Sequence, residues 1–232
     1  MTLDLEALVL RSGTHASPAD GVSLMEAVSV VAGEPWSNRP SCTSPVIAAY
    51  ARSLNDWLPD DARQRLKAYI PKLVGTAEPD LELGRAFACA DAAVRVFARL
   101  ACAAAGLVEE AARLATLAPV DRESAEAARS AAESAEAAAR SAASLADWSA
   151  AESTRSAADA ARSAAQSTRS ASAAAHSTGW SAADSAQAAG RTAARSAWSA
   201  HTTAHAAARS AAESAAESAA FELLDRLVAA GS

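Results

Sequence analysis

The pattern of apolar and polar positions divides the chain into two unlike regions. Up to residue 120, large apolar residues recur at helical spacing in segments that are bounded by glycine or proline. All eight prolines lie at or before Pro119, and the chain beyond it is dominated by alanine and serine. We therefore predict a compact multi-helix domain over residues 1–120 and a second region over residues 121–232.

The first region contains several segments with the marks of helices. Its apolar spacing predicts helices over residues 23–33, 45–58, 59–75, 82–106 and 108–117. Proline at position 45 suits a first helical turn, and glycine at position 33 is a common place for a helix to end. The opening segment LDLEALVL (3–10) fits either a strand or a short helix.

The second region is an alanine- and serine-rich helical repeat. The triplet Arg-Ser-Ala occurs seven times, and its spacings are built largely from sevens with extra threes and fours. Such a mixture lies close to the 3.6-residue period of a straight α-helix, and alternation at period two is absent. Together the two regions predict an all-α protein.

Charge along the repeat favours antiparallel helices over one long helix. Residues 121–160 hold eight acids and four arginines, whereas residues 161–210 hold one acid and five arginines. An acidic arm facing a basic arm suits a hairpin with its corner at HSTGW (176–180). The alternative is a single helix over residues 121–229, which would be about 160 Å long.

The few large side chains of the repeat have predicted places in this hairpin. We expect Trp148, Trp180 and Trp198 to be the large packing residues among the alanines. The terminal segment FELLDRLVAA restores larger apolar residues, so we expect a capping helix that docks back. Serine between the helices permits close packing, although each buried hydroxyl needs a hydrogen-bond partner.

Composition and charge bear on the location of the protein, its partners and the state of its cysteines. The formal net charge of −6 disfavours nonspecific binding to membranes or nucleic acid, and we expect neither as a partner. No apolar stretch approaches the roughly 20 residues of a membrane span, and the first residues make a poor signal peptide. We expect a soluble, cytoplasmic protein. Cys42, Cys89 and Cys102 form no C-x-x-C pair and predict free thiols.

Two groups of residues have types that could form reactive or metal-binding sites. His201 and His205 stand four apart on one helical face, as a metal site requires, but no third ligand accompanies them and surface histidines are the simpler interpretation. His15, Glu26 and Cys42, with Glu34, lie near enough in sequence to form a thiol or metal cluster, although their spacing does not demand it. We assign no catalytic residue, metal ligand or cofactor.

The loop GEPWSNRPSC (33–42) is the least generic stretch of the chain. Tryptophan and arginine are enriched among the residues that anchor interfaces, so Trp36 and Arg39 are the candidate binding residues. The alternative is a loop that one buried tryptophan holds in place.

Three pieces of the first region carry a family resemblance: MEAV (25–28), GEPWS (33–37) and SPVIAA (44–49). They resemble a module of uncharacterised proteins from actinobacteria and their phages that also continue into an alanine-rich repeat. More loosely, the repeat is similar to helical proteins assigned as immunity proteins of bacterial toxin systems. The resemblance implies a helical fold and an intracellular setting, and it brings no enzymatic activity.

Three functions are compatible with these patterns. The first is a non-enzymatic interaction or scaffold protein, of the immunity type, that binds a protein partner or itself through the repeat. The second is a metal- or thiol-dependent enzyme centred on His15, Glu26 and Cys42, with the repeat as an oligomerisation stalk. The third is a structural fibre component of a phage or bacterium.

Overall fold

A computed structural model describes residues 3–231, except for the side chains of residues 148 and 149. These residues form helices, turns and loops without any strand, which confirms the predicted all-α class. The α-helices are α1 (Leu24–Val31), α2 (Pro45–Trp57), α3 (Asp60–Gln64), α4 (Ile70–Leu73), α5 (Glu82–Asp91), α6 (Arg99–Ala104), α7 (Val108–Ala115), α8 (Ala125–Leu145), α9 (Trp148–His176), α10 (Gly179–Ala206) and α11 (Ser210–Ala229).

The first region follows its predicted segments with two departures. Residues 59–75 form α3, a 3₁₀ segment (Arg65–Tyr69) and α4 in place of one helix, since Pro71 has no amide hydrogen for a continuous α-helical ladder. Residues 3–10 form neither strand nor helix but a turn, in which the Leu8 amide donates to the Asp4 carbonyl over 3.0 Å.

The predicted helix over residues 82–106 is present, with a change of winding in its middle. A π-helical segment, Ala92–Ala98, joins α5 to α6. Ala90, Val94 and Phe97 are buried, while Phe87 and Leu100 are half-buried at the edge of the core. This helix and α2 form the surface on which the repeat packs.

The repeat folds back on itself, as predicted. Helices α9 and α10 run antiparallel, and the chain reverses at residues 177–178, within the predicted corner. Gly179 has a φ of +59°, a conformation that glycine adopts at little cost, which explains its place there. Two further breaks, at residues 146–147 and 207–209, were not predicted and divide the repeat into α8 to α11.

Serine hydroxyls bond across the alanine-lined contact between α9 and α10. The Ser167 hydroxyl donates to the carbonyl of Ala189 over 2.9 Å, and the Ser196 hydroxyl donates to the carbonyl of Ala160 over 2.9 Å. Ser196 also lies 3.3 Å from the carbonyl oxygen of Ala93 in the π-helical segment. These buried serines therefore have the partners that close packing requires.

The acidic and basic arms meet, but at an earlier corner than predicted. Arg162 contacts Glu136 at 2.8 Å and Arg169 contacts Glu133 at 3.2 Å, so these ion pairs join α9 to α8. The reversal that brings the arms together is therefore the break at residues 146–147, between α8 and α9. The contact between α9 and α10 is formed by small side chains instead.

The C-terminal helix docks back as expected. The Tyr50 hydroxyl donates to the Ala220 carbonyl over 3.0 Å, which ties α11 to α2. Phe221 packs on Tyr69 with ring centroids 6.2 Å apart, and the Arg65 guanidinium lies 4.0 Å from the centre of the Phe221 ring. One hydrophobic core runs through both regions. The division at residue 120 stays a prediction about independent folding.

The predicted role of the tryptophans is wrong for Trp180, which is 83% exposed. Trp198 is 40% exposed and packs on Trp57 of α2 and on His201, with centroid distances of 5.5 and 5.8 Å. The alanine contacts between helices leave no room for an indole, so both tryptophans lie on the outer side of α10. The Trp148 side chain lies outside the described residues.

Candidate functional site

The loop over residues 33–42 is held by one carboxylate. Glu34 accepts hydrogen bonds from the Ser41 amide at 2.7 Å, the Ser41 hydroxyl at 2.8 Å and the Cys42 amide at 2.8 Å. The bond from the Ser41 hydroxyl is the main cause of the lowered pKa of Glu34. The loop thus has a fixed shape on the surface.

The two predicted binding residues of this loop have different surroundings. The Trp36 indole is half-buried and donates its N–H to the carbonyl oxygen of His15 over 2.9 Å, so it attaches the loop to the chain before α1. Arg39 is exposed and lines the cavity described below. A binding role for Trp36 and Arg39 stays a prediction.

His15 and Glu26 form a close pair, separate from the Glu34 cluster. The buried Glu26 carboxylate accepts from the His15 amide at 2.7 Å and the Ser23 amide at 2.8 Å, and it contacts His15 Nδ1 at 2.9 Å. Burial alone would raise the pKa of Glu26, but these hydrogen bonds outweigh it and leave the pKa lowered. Cys42 instead belongs to the cluster around Glu34.

These contacts divide the four candidate residues of the enzyme hypothesis between two structural clusters. No group of three or more metal-ligating side chains occurs within the described part of the chain. His201 stacks on Trp198, whereas the exposed His205 contacts Glu213 at 3.0 Å, so the two histidines have separate partners. All three cysteines are free, and burial raises the pKa of Cys102 to about 12.

A cavity of 590 Å³ lies where the two regions meet. One wall comes from the loop before α2 and the first turns of α2, and a second from the chain around Pro79. The third wall is the corner between α9 and α10, including Gly179 and Gln187. Proline, alanine and leucine side chains supply much of the lining, and the volume is within the usual range for small-molecule sites.

Three arginines from distant parts of the sequence converge on one side of this cavity. Arg39 and Arg52 line it, and Arg191 lies next to Gln187, whose side-chain oxygen it contacts at 3.0 Å. Burial, followed by the like charges of Arg39 and Arg191, lowers the pKa of Arg52 to about 10. Asp56 acts in the opposite direction on the pKa of Arg52, and none of the three arginines lies within ion-pair distance of a carboxylate among the described residues.

The outer face of α10 continues from this arginine group along the molecule. Its residues follow one another at intervals of three or four and comprise Trp180, Asp184, Gln187, Arg191, Arg195, Trp198, Thr202 and His205. All are exposed or half-exposed. We call this set the α10 face. The helical spacing of its tryptophans and arginines was visible in the sequence, but the prediction of buried tryptophans obscured it.

No helix within residues 3–231 is both long and apolar enough to cross a membrane. The chain matches no model of a known protein family, no curated protein sequence and no solved structure.

Proposed function

We propose that this chain is a non-enzymatic interaction protein that binds an acidic protein partner through the α10 face. The observation that carries the proposal is the exposure of Trp180, Arg191, Arg195 and Trp198 on one side of one helix. Tryptophan and arginine are the residue types that contribute most to binding energy at protein interfaces. The face extends over about 38 Å at the rise of an α-helix, enough for a partner of ordinary size.

Charge favours an acidic partner. The whole chain has a net charge of −6, yet Arg191 and Arg195 lack ion pairs among the described residues, and Arg39 and Arg52 lie beside Arg191. Asp184 is the one acid on the α10 face. A positive surface on a negative protein attracts a negative partner and orients it during encounter.

The same charges disfavour self-association through this face. A symmetric dimer places the same patch of both copies opposite each other, so the unpaired arginines would face arginines. An immunity-type role, which the resemblance of the repeat implies, requires a toxin that offers acidic groups to this face. A repeat that folds back into α8 to α11 supports this proposal over a fibre built on one long helix.

The test is affinity capture with charge-reversed variants. The purified protein is used as bait in an extract of the source organism, beside the double variant Arg191→Glu/Arg195→Glu. The matched control is Arg122→Glu/Arg155→Glu, which makes the same change of charge at exposed arginines away from the α10 face. We expect an acidic protein to be retained by the wild type and by the control, and to be lost from the α10 variant.

Two outcomes would contradict the proposal. One is equal retention of the same partner by both double variants, which would locate binding elsewhere. The other is a retained fraction that nuclease removes, since nucleic acid and not protein would then be the partner of the arginines.

A further inference from the structure

The cavity between the two regions combines apolar walls with two arginines, and the partner binding proposed for the α10 face does not involve it. Its walls near the α9–α10 corner carry Ala174, Ala182, Ala183 and Ala186, which offer methyl groups and no polar side-chain atoms. Pro40, Pro45, Ala48, Pro79 and Leu83 extend this apolar surface on the other walls. Arg39 and Arg52 are the cationic side chains of the lining.

The acids of the lining are already engaged by the protein. Both oxygens of the buried Glu82 carboxylate accept hydrogen bonds, one from Arg85 at 2.8 Å and the other from the Ser44 hydroxyl at 2.9 Å and the Val46 amide at 3.2 Å. Glu78 lies 3.8 Å from the guanidinium of the same Arg85. On the arginine side, the charge of Asp56 acts on Arg52 against the like charges of Arg39 and Arg191, so a net positive charge remains there.

The guanidinium of Arg52 is held by the backbone of the loop before α2. It is half-buried, and one of its guanidinium nitrogens donates to the carbonyl oxygen of Asn38 over 3.1 Å. That bond uses a small part of its five-donor capacity, and the exposed Arg39 lines the same cavity. A guanidinium pair of this kind matches the oxygens of a carboxylate or phosphate.

We infer that this cavity binds a small amphipathic anion, with its carboxylate or phosphate head on Arg39 and Arg52 and its apolar body on the alanine and proline walls. The volume of 590 Å³ suits a molecule of metabolite size. The inference goes beyond the proposed function, and the partner of the α10 face has no part in it.

Titration calorimetry with simple probes tests this inference on the full chain. Octanoate and octyl phosphate supply the two head groups, octanol supplies the apolar body without charge, and inorganic phosphate supplies charge without an apolar body. We expect saturable binding of octanoate or octyl phosphate, the stronger of the two identifying the head group. Octanol and inorganic phosphate should bind at least about tenfold more weakly, since each lacks one of the two interactions.

Variants locate the binding. Arg39→Gln/Arg52→Gln should weaken the charged probes about tenfold or more and leave octanol unchanged. Ala183→Trp, at an exposed position of the lining, should fill the cavity and abolish binding of all probes without disturbing the core. The control Arg155→Gln removes an exposed arginine outside the cavity and should bind like the wild type.

Three results would overturn the inference. They are the absence of binding by both charged probes, an affinity for octanol equal to that for the stronger charged probe, and unchanged binding in Ala183→Trp. Circular dichroism of each variant shows whether it is folded, so a loss of binding is assigned to the site only in a folded protein. Failure here leaves the charge-reversal test of the α10 face unaffected.

Discussion

Gly190 of α10 lies against the carbonyl oxygen of Val46 in α2, so closely that a Cβ atom at position 190 would stand 2.6 Å from that oxygen. The oxygen belongs to the backbone of a buried helix and cannot move aside like the end of a flexible side chain. This glycine thus fixes how near the repeat approaches the first region. The same approach brings Gln187 and Arg191 of α10 beside Arg52 of α2.

Gly190→Ala should therefore destabilise the protein, although alanine is the better helix former. Overpacking a buried contact typically costs about 1–3 kcal/mol, which outweighs the helix-propensity gain of about 1 kcal/mol or less. Gly84→Ala is the matched control, because Gly84 is an exposed helical glycine with no atom near its Cβ position. It should stabilise by about 0.5–1 kcal/mol. Urea unfolding measures the change in the free energy of unfolding of each variant. A change of the same sign in both variants would contradict the close contact at Gly190.

The serine bridges between α9 and α10 should contribute measurably to stability. Ser167→Ala or Ser196→Ala removes a buried hydroxyl that donates to a carbonyl of the facing helix, at a cost of about 1 kcal/mol each. Ser134→Ala is the control, since its exposed hydroxyl bonds a carbonyl of its own helix and alanine is the better helix former there. If all three variants unfolded at the same urea concentration, the bridges would have no energetic role.

Glu82 should be the most sensitive acid of the first region. Every group that contacts its carboxylate is a hydrogen-bond donor. The side-chain amide nitrogen of Glu82→Gln, itself a donor, would therefore face another donor, either on Arg85 or at the start of α2. The variant also leaves the buried Arg85 without its nearest counter-charge, a change that costs about 3–5 kcal/mol. The exposed pair of Glu126 with Arg129 provides the control, and Glu126→Gln should change the unfolding midpoint little.

Glu26 should make stability depend on acid pH. Its pKa is lowered in the folded protein below its ordinary value of 4.5, so the native state favours the ionised form. The resulting stabilisation is complete above pH 4.5 and is lost as pH falls through the folded-state pKa. The stability difference between wild type and Glu26→Gln should hence be largest above pH 4.5 and shrink below it. A stability difference between wild type and Glu26→Gln that stays constant across this pH range would contradict the assignment.

Much of the fold could be predicted because helix signals in this chain are local. Proline-free alanine sequence and the glycine at position 179 located the hairpin of α9 and α10, whereas the change of charge along the repeat corresponds to the contact between α8 and α9. The break at residues 146–147 had a signal too, since the Asp147 side chain caps α9 by accepting from the Ala150 amide at 3.0 Å. The break near Ala208 had none, because an alanine with a φ of +53° is set by tertiary packing.

The candidate site was harder to predict because its parts come from distant segments. Arg39 was found through its unusual loop, but Arg52 and Arg191 lie in ordinary helical sequence and meet only when α10 packs on α2. The tryptophans were assigned to the core on size alone. Their spacing with the arginines of α10 carried the correct information, because residues three and four apart share a helix face.

Site-specific photo-crosslinking tests the central claim, that the α10 face is the partner-binding surface. A photoreactive phenylalanine analogue is placed at Trp180 or, as a control, at Leu145, which is 86% exposed at the opposite end of the helices. After irradiation in cells of the source organism, position 180 should yield a covalent adduct with an acidic protein and position 145 should yield none. Equal adducts from both positions, or an adduct at 180 only with a second copy of this chain, would contradict the account.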